Sequence, residues 1–112
     1  MNAPLQHQTQ TQSWACLFTE PNKELEAAQS SKFAGLEVYL PLYSKQISHA
    51  RKKQWVKRPF FPRYLFVRPA SSKVSVQIAK RLRGVTSIVG GSAHPHTVPH
   101  SIISFLQKRM TD

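Results

Sequence analysis

Between residues 38 and 109 the chain has no aspartate or glutamate, although it carries fourteen lysines and arginines there. Four of its five acids, Glu20, Glu24, Glu26 and Glu37, fall in the first third, and the fifth is Asp112. The formal net charge is +11 with histidines neutral. A one-signed excess of this size on a small chain points to a polyanionic partner, usually nucleic acid. The shortage of carboxylates also removes the paired acids of general acid-base chemistry, because Glu24 and Glu26 stand two residues apart and diverge on a helix. Cysteine is nearly absent. Cys16 has no partner for an internal disulfide, which fits a reducing cytosol, and its place in an apolar strand makes it a buried, inert thiol. Gly90-Gly91 is a turn and not a phosphate loop. No apolar run approaches the roughly 20 residues that span a bilayer. Residues 1–13 lack the basic and apolar regions of a secretory signal. These absences predict a cytoplasmic, monomeric, non-enzymatic protein without cofactor or membrane contact.

What is present predicts one domain over residues 14–110, preceded by a polar, disordered tail over residues 1–13 with four glutamines and one proline. The most apolar ten residues, 59–68, lie directly behind the most basic run, 51–58. Aromatic and β-branched residues over 60–67 predict a central strand. Strand geometry puts Phe60, Pro62, Tyr64 and Phe66 on one face and Phe61, Arg63, Leu65 and Val67 on the other. Pro59 and Pro62 cannot donate to a ladder, so regular pairing is expected from Arg63 onward. Leu65 and Val67 belong to the core. The Pro62/Tyr64/Phe66 face is expected to await a partner.

The other elements follow from periodicity and punctuation. Residues 13–19 predict a first strand, with Trp14, Cys16 and Phe18 opposite Ala15 and Leu17. Asn22 predicts an N-cap, and a helix to Ala34 buries Leu25, Ala28 and Phe33, ending at a left-handed Gly35. Residues 37–43 alternate about Pro41 as a second strand. Residues 44–58 predict an extended hairpin with its tip near residues 49–53. Val74, Ile78, Ala79 and Leu82 recur at helical spacing over residues 72–83, and residues 85–89 form a short strand. Pro99 at a first helical position opens a last helix with Ile102, Ile103 and Leu106 as its buried stripe. The order β-α-β-β-α-β-α predicts an α/β sandwich, with a mainly antiparallel four-stranded sheet, three helices and a protruding basic hairpin.

His94, His96 and His100 form an H-x-H-x3-H run, but Pro95 and Pro99 mark it as a solvated loop and not a zinc site. Two basic clusters remain. Arg51, Lys52, Lys53, Lys57 and Arg58 surround Trp55 on the hairpin, a pattern that either tracks phosphates and stacks a base or protects a strand edge. Lys80, Arg81 and Arg83 either join that surface or complement a helix C-terminus.

Residues 61–67, FPRYLFV, resemble the FPGYLFV-type strand of the NusG N-terminal domain family, which includes NusG and its specialised paralogue RfaH. Trp14 with Phe18 four residues on, Arg83-Gly84-Val85 followed by Ile88-Val89, and Val98-Pro99 before a last helix fall in matching order. The resemblance implies a transcription elongation or antitermination factor. It would seat a hydrophobic cavity on the clamp helices of the largest subunit of bacterial RNA polymerase and favour the processive enzyme. By position, the cavity holds Trp14, Phe18, Phe61, Pro62, Tyr64 and Phe66, and the contact to the opposite pincer falls on Ser75, Val76 and Gln77. The family's DNA-reading basic residues fall here on Glu20, Pro21 and Lys23, so contact with DNA or RNA of the elongation complex shifts to the hairpin. The family's C-terminal KOW barrel has no counterpart after the last helix, which predicts pause suppression without Rho recruitment or ribosome coupling. The competing reading is a stand-alone nucleic-acid-binding module that uses the hairpin.

Overall fold

The computed structural model describes residues 13–110, so the predicted tail lies, apart from Ser13, outside the described residues. The elements are β1 (Ser13–Thr19), α1 (Glu24–Phe33), β2 (Leu36–Tyr39), β3 (Leu42–His49), β4 (Lys52–Pro59), β5 (Tyr64–Pro69), a 3-10 helix (Val76–Arg81), β6 (Val85–Ile88), β7 (Thr97–Pro99) and α2 (His100–Arg109). The main sheet runs β2-β5-β1-β6, and β7 also pairs with β1. All its pairings are antiparallel. The predicted sandwich is therefore present, with a fifth strand that the sequence pattern did not reveal. β7 is three residues long, too short to show a period.

Chain order fixes the centre. β5 holds Leu65 and Val67 with no solvent exposure, and β1 holds Leu17 equally buried beside it. Ala15, Leu17, Leu36, Leu65, Val67, Val85 and Ile88 of the sheet pack with Ala27 of α1 and Ala79 of the 3-10 helix. Regular pairing of the central strand begins at Tyr64, one residue later than the prolines suggested.

α1 buries Ala28 as predicted, but Leu25 and Phe33 do not follow it inward. Ala27, Ala28, Ser31 and Glu24 are buried, whereas Leu25 is 65% exposed and Phe33 96%. Small residues win the interior because the helix lies against backbone: Ser30 Oγ donates to the Arg83 carbonyl at 2.8 Å, and Gly84 abuts Ala27. Asn22 is not the cap. It takes a left-handed turn (φ 62°), and Lys23 precedes the helix without a side-chain cap. Gly35 is left-handed, as expected.

The predicted α-helix over 72–83 is a 3-10 helix of six residues, begun by Ser75 accepting from the Gln77 N–H. Its three-residue period puts Val76, Ala79 and Leu82 inward and leaves Ile78 42% exposed. Three β-branched residues, Val74, Val76 and Ile78, give the longer α-helix little intrinsic support. The predicted second strand breaks at Leu40-Pro41 into β2 and β3. Pro99 is the N-cap of α2 and not its first residue; Ile103 is fully buried, Leu106 half-buried and Ile102 49% exposed.

β3 and β4 form a separate two-stranded sheet turning at Ala50-Arg51. Strands of eight residues reach about 26 Å. This arm accounts for the elongated outline of 63 × 29 × 22 Å. Among the described residues no helix is long and apolar enough to cross a membrane.

Gly84, just before β6, lies close against the backbone of α1. Its φ is +88°, and a methyl group there would lie 2.9 Å from the Ala27 backbone nitrogen. Left-handed strain and overpacking together should make Gly84→Ala destabilising by about 2 kcal/mol or more. Phe33→Ser, on the solvent side of the same helix, should change stability by less than about 0.5 kcal/mol. Urea denaturation of the two variants checks both values.

Candidate functional site

Residues opposite one another on neighbouring antiparallel strands point to the same side of the sheet. Phe66 of β5 stands between Tyr39 of β2 and Cys16 of β1, and Tyr64 stands opposite Phe18, which faces Ser87 of β6. In the row beyond, Glu37, Arg68, Trp14 and Val98 follow one another across the sheet. None of these residues belongs to the core beneath α1. They make up the second face, and its two ends differ.

One end is closed by α2. Trp14 is only 1% exposed, and its indole Nε1 donates to His100 Nδ1 at 3.1 Å, with the two rings stacked. The Arg68 guanidinium lies 4.5 Å from the Trp14 ring centroid and makes two bonds to Glu37, at 2.9 and 3.0 Å. His100, read from sequence as part of a solvated loop, is thus an acceptor for a buried tryptophan. His94 and His96 do lie in the loop, and no group of three or more potential metal ligands comes together among the described residues.

The other end is open. Phe18 and Tyr64 meet at 5.3 Å between ring centroids, Tyr39 stacks on Phe66 at 6.3 Å, and Phe61 meets Phe66 edge-on at 6.3 Å. Phe60 joins Phe61 to Tyr43 at the base of the hairpin. Tyr64 remains 38% exposed and Phe60 48%, with Pro62 exposed on the lip. Phe61 was expected on the opposite side from Phe66. The Tyr64 N–H bonds back to the Phe61 carbonyl at 3.0 Å, and this turn breaks strict alternation and swings Phe61 onto Phe66. Tyr39 was not singled out from sequence, although its place in an alternating aromatic strand was visible. Burial raises the Tyr39 pKa, and its hydroxyl has no hydrogen-bond partner among the described residues.

Arg63 stands at the closed turn before Tyr64 with φ 74°. That conformation costs an L-residue about 1–2 kcal/mol. Three bonds hold it. Its N–H donates to Glu24 Oε2 at 2.8 Å, its carbonyl accepts from Thr19 N at 2.8 Å, and its Nε donates to the Thr19 carbonyl at 3.0 Å. Glu24 is buried for this reason: the first turn of α1 supplies the acceptor that shapes the entrance to β5.

Ser75, Val76 and Gln77 lie elsewhere. Val76 packs against the core, the Ser75 hydroxyl bonds to the Gln77 side chain, and Gln77 Nε2 donates to the Ser92 carbonyl at 3.1 Å. Their polar groups are engaged within the chain. Lys80 and Arg81 are exposed in the last turn of the 3-10 helix. Arg83 extends into solvent, with Nε 3.9 Å from Glu26 Oε1.

The hairpin register sorts the first basic cluster. Lys53, Trp55 and Lys57 share one face with Ser48, Gln46 and Ser44, whereas Lys52 and Arg58 share the other with His49 and Tyr43. Trp55 is 70% exposed, and Lys57 Nζ donates to Ser44 Oγ at 2.9 Å. Ala50 and Arg51 at the tip have φ 54° and 67°, the left-handed pair of a two-residue hairpin turn.

The family described as transcription termination factor nusG matches the chain over residues 12–107. No curated protein matches.

Cys16 is half-buried on this aromatic face, less enclosed than expected, and desolvation pushes its thiol pKa up to about 11. The reactive thiolate should therefore appear only as pH rises toward that value. At pH 8, alkylation by iodoacetamide should run on the order of 100-fold slower than for a cysteine of ordinary pKa. Intact-mass measurements over time on folded and guanidinium-unfolded protein test this.

Proposed function

The chain belongs to the NusG family of transcription factors, and from that premise we propose that its open aromatic face docks on the coiled-coil clamp helices of RNA polymerase. The role is that of an elongation and antitermination factor acting without catalysis. Tyr64, Phe18, Phe66 and Phe61 would receive the apolar ridge of the helical pair, with Pro62 on the rim. Binding that prefers the closed polymerase shifts the enzyme toward its processive state by the difference in affinity for the two states.

A single observation carries this reading. Among the described residues, the second sheet face has a helix over Trp14 and none over Tyr64. Water-exposed aromatic rings grouped beside a rigid strand resemble the anchors that dominate binding energy at protein interfaces. Tyr64 adds a hydroxyl at the edge of the group, suited to a polar rim contact.

The hairpin supports an accompanying contact with nucleic acid. Lys53, Trp55 and Lys57 present an aromatic ring between two cations on one face. Successive side chains on one strand face stand about 7 Å apart, so the two lysines flank the ring about 14 Å from one another. Trp55 would stack a base while the lysines meet phosphates. Used alone, this face is the basis of the competing reading as a stand-alone nucleic-acid-binding module. The incompletely covered Tyr64 favours polymerase docking.

Tyr64→Ala should weaken binding to core RNA polymerase by about 2 kcal/mol with little change in unfolding. Wild-type affinity, or a variant that merely unfolds, would contradict the docking assignment. For the hairpin, Lys53→Ala with Lys57→Ala should flatten the salt dependence of single-stranded DNA binding by about one log-log unit for each phosphate no longer neutralised. A fluorescence-anisotropy titration across salt concentrations gives the slope, and an unchanged slope moves the interaction off this face.

A further inference from the structure

Arg63 is strained where glycine would be at ease, and its side chain lies over the docking face. The guanidinium carbon is 4.1 Å from the centroid of Phe18, which in turn meets Tyr64. The side chain's hydrogen bond within the chain uses Nε, on the Thr19 carbonyl. Its two terminal nitrogens make no hydrogen bond or ion pair among the described residues, and Glu24, the nearby acid, is engaged by the Arg63 backbone. The other arginine of this face, Arg68, is by contrast held bidentately by Glu37. Tyr39, Phe66, Cys16, Tyr64, Phe18 and Ser87, the rows nearest Arg63, contain no acid.

A surface that joins exposed rings to a guanidinium with unbonded terminal nitrogens selects a partner that can accept from them. Seating an apolar ridge on Phe18 and Tyr64 strips water from the guanidinium. Left unpaired there, the charge opposes binding; met by a carboxylate on the fork of its terminal nitrogens, it favours binding. The same residue thus admits one class of partner and rejects others. A persistent left-handed arginine is the kind of local cost that a functional position retains.

We infer that Arg63 reads charge on the docking face, accepting an aspartate or glutamate side chain of the helical partner that seats on Phe18 and Tyr64. The inference rests on the docking reading above. It assigns to Arg63 a specificity contact, separate from the apolar anchoring by Tyr64.

The experiment compares wild type, Arg63→Gly, Arg63→Gln and Tyr64→Ala for binding to purified core RNA polymerase over a series of salt concentrations. Circular dichroism and thermal unfolding of each variant accompany the titrations. Arg63→Gly relieves the backbone strain; Arg63→Gln keeps the strain and removes the charge. Both should bind about tenfold more weakly at low salt, on the scale of a charge-assisted hydrogen bond, and the deficit should shrink as salt rises. A deficit that is the same at every salt concentration assigns Arg63 a purely structural part and overturns the inference. Wild-type affinity in both Arg63 variants also overturns it; the docking reading then stands if Tyr64→Ala is weakened and falls with it if Tyr64→Ala is not. Should Arg63→Gly fail to fold, Arg63→Gln decides by the same criteria.

Discussion

Both edges of β1 are hydrogen-bonded, and the rest of the sheet depends on that. β5 occupies one edge, while β6 and β7 share the other, each taking a different half of the strand. The register shifts between Phe18 and Thr19, where β6 begins. Thr19, fully buried, then turns from pairing with Val85 to receiving Arg63, so that its N–H and its carbonyl are both engaged by one residue. This junction settles where the core ends and where the aromatic face begins. Glu24 reinforces it from the helix side, because its carboxylate reaches the Arg63 N–H across the mouth of the sheet.

The two faces of the sheet follow different rules. On the α1 face, burial is nearly complete and small side chains allow close approach of backbone to backbone. At the open end of the other face, the rings are large and only partly covered. Ring contacts continue from Tyr39 through Phe66, Phe61 and Phe60 to Tyr43, which joins the face to the foot of the hairpin without passing through the core. Rigid rings lose little conformational freedom when a partner arrives, so such a face is prepared for contact.

The sequence made the strands of the centre plain, because β5 is rich in aromatic residues and β1 is a short apolar run stopped by Glu20-Pro21. It also carried the family resemblance, and the expected sandwich and hairpin are present. Helical faces were less readable. Leu25 and Phe33 looked like core residues by hydrophobicity alone, but close packing at Gly84 and Ala27 leaves room only for small groups. Val74, Ile78 and Leu82 fitted a four-residue period, whereas Val76, Ala79 and Leu82 fitted the three-residue period that the fold uses. The histidine run looked like a loop, and nothing local could reveal that His100 would meet Trp14, 86 positions away in the chain. On the candidate site, alternation grouped Tyr64 with Phe66, but the rotation of Phe61 and the reach of Arg63 over Phe18 arise from a turn whose geometry depends on Glu24.

The arm formed by β3 and β4 leaves the main sheet at Pro41 and Pro59, and between its two roots the Phe60 N–H bonds to the Pro41 carbonyl at 2.8 Å. None of its residues belongs to the core cluster. Its sequence is consequently under little folding constraint: cations, aromatics or even length can be exchanged at the tip while the domain behind it keeps its stability. Descendants of one ancestral scaffold could in this way diverge in what the arm touches while inheriting the same aromatic face. Selection would act on the two surfaces at separate rates, the arm drifting quickly and the sheet slowly.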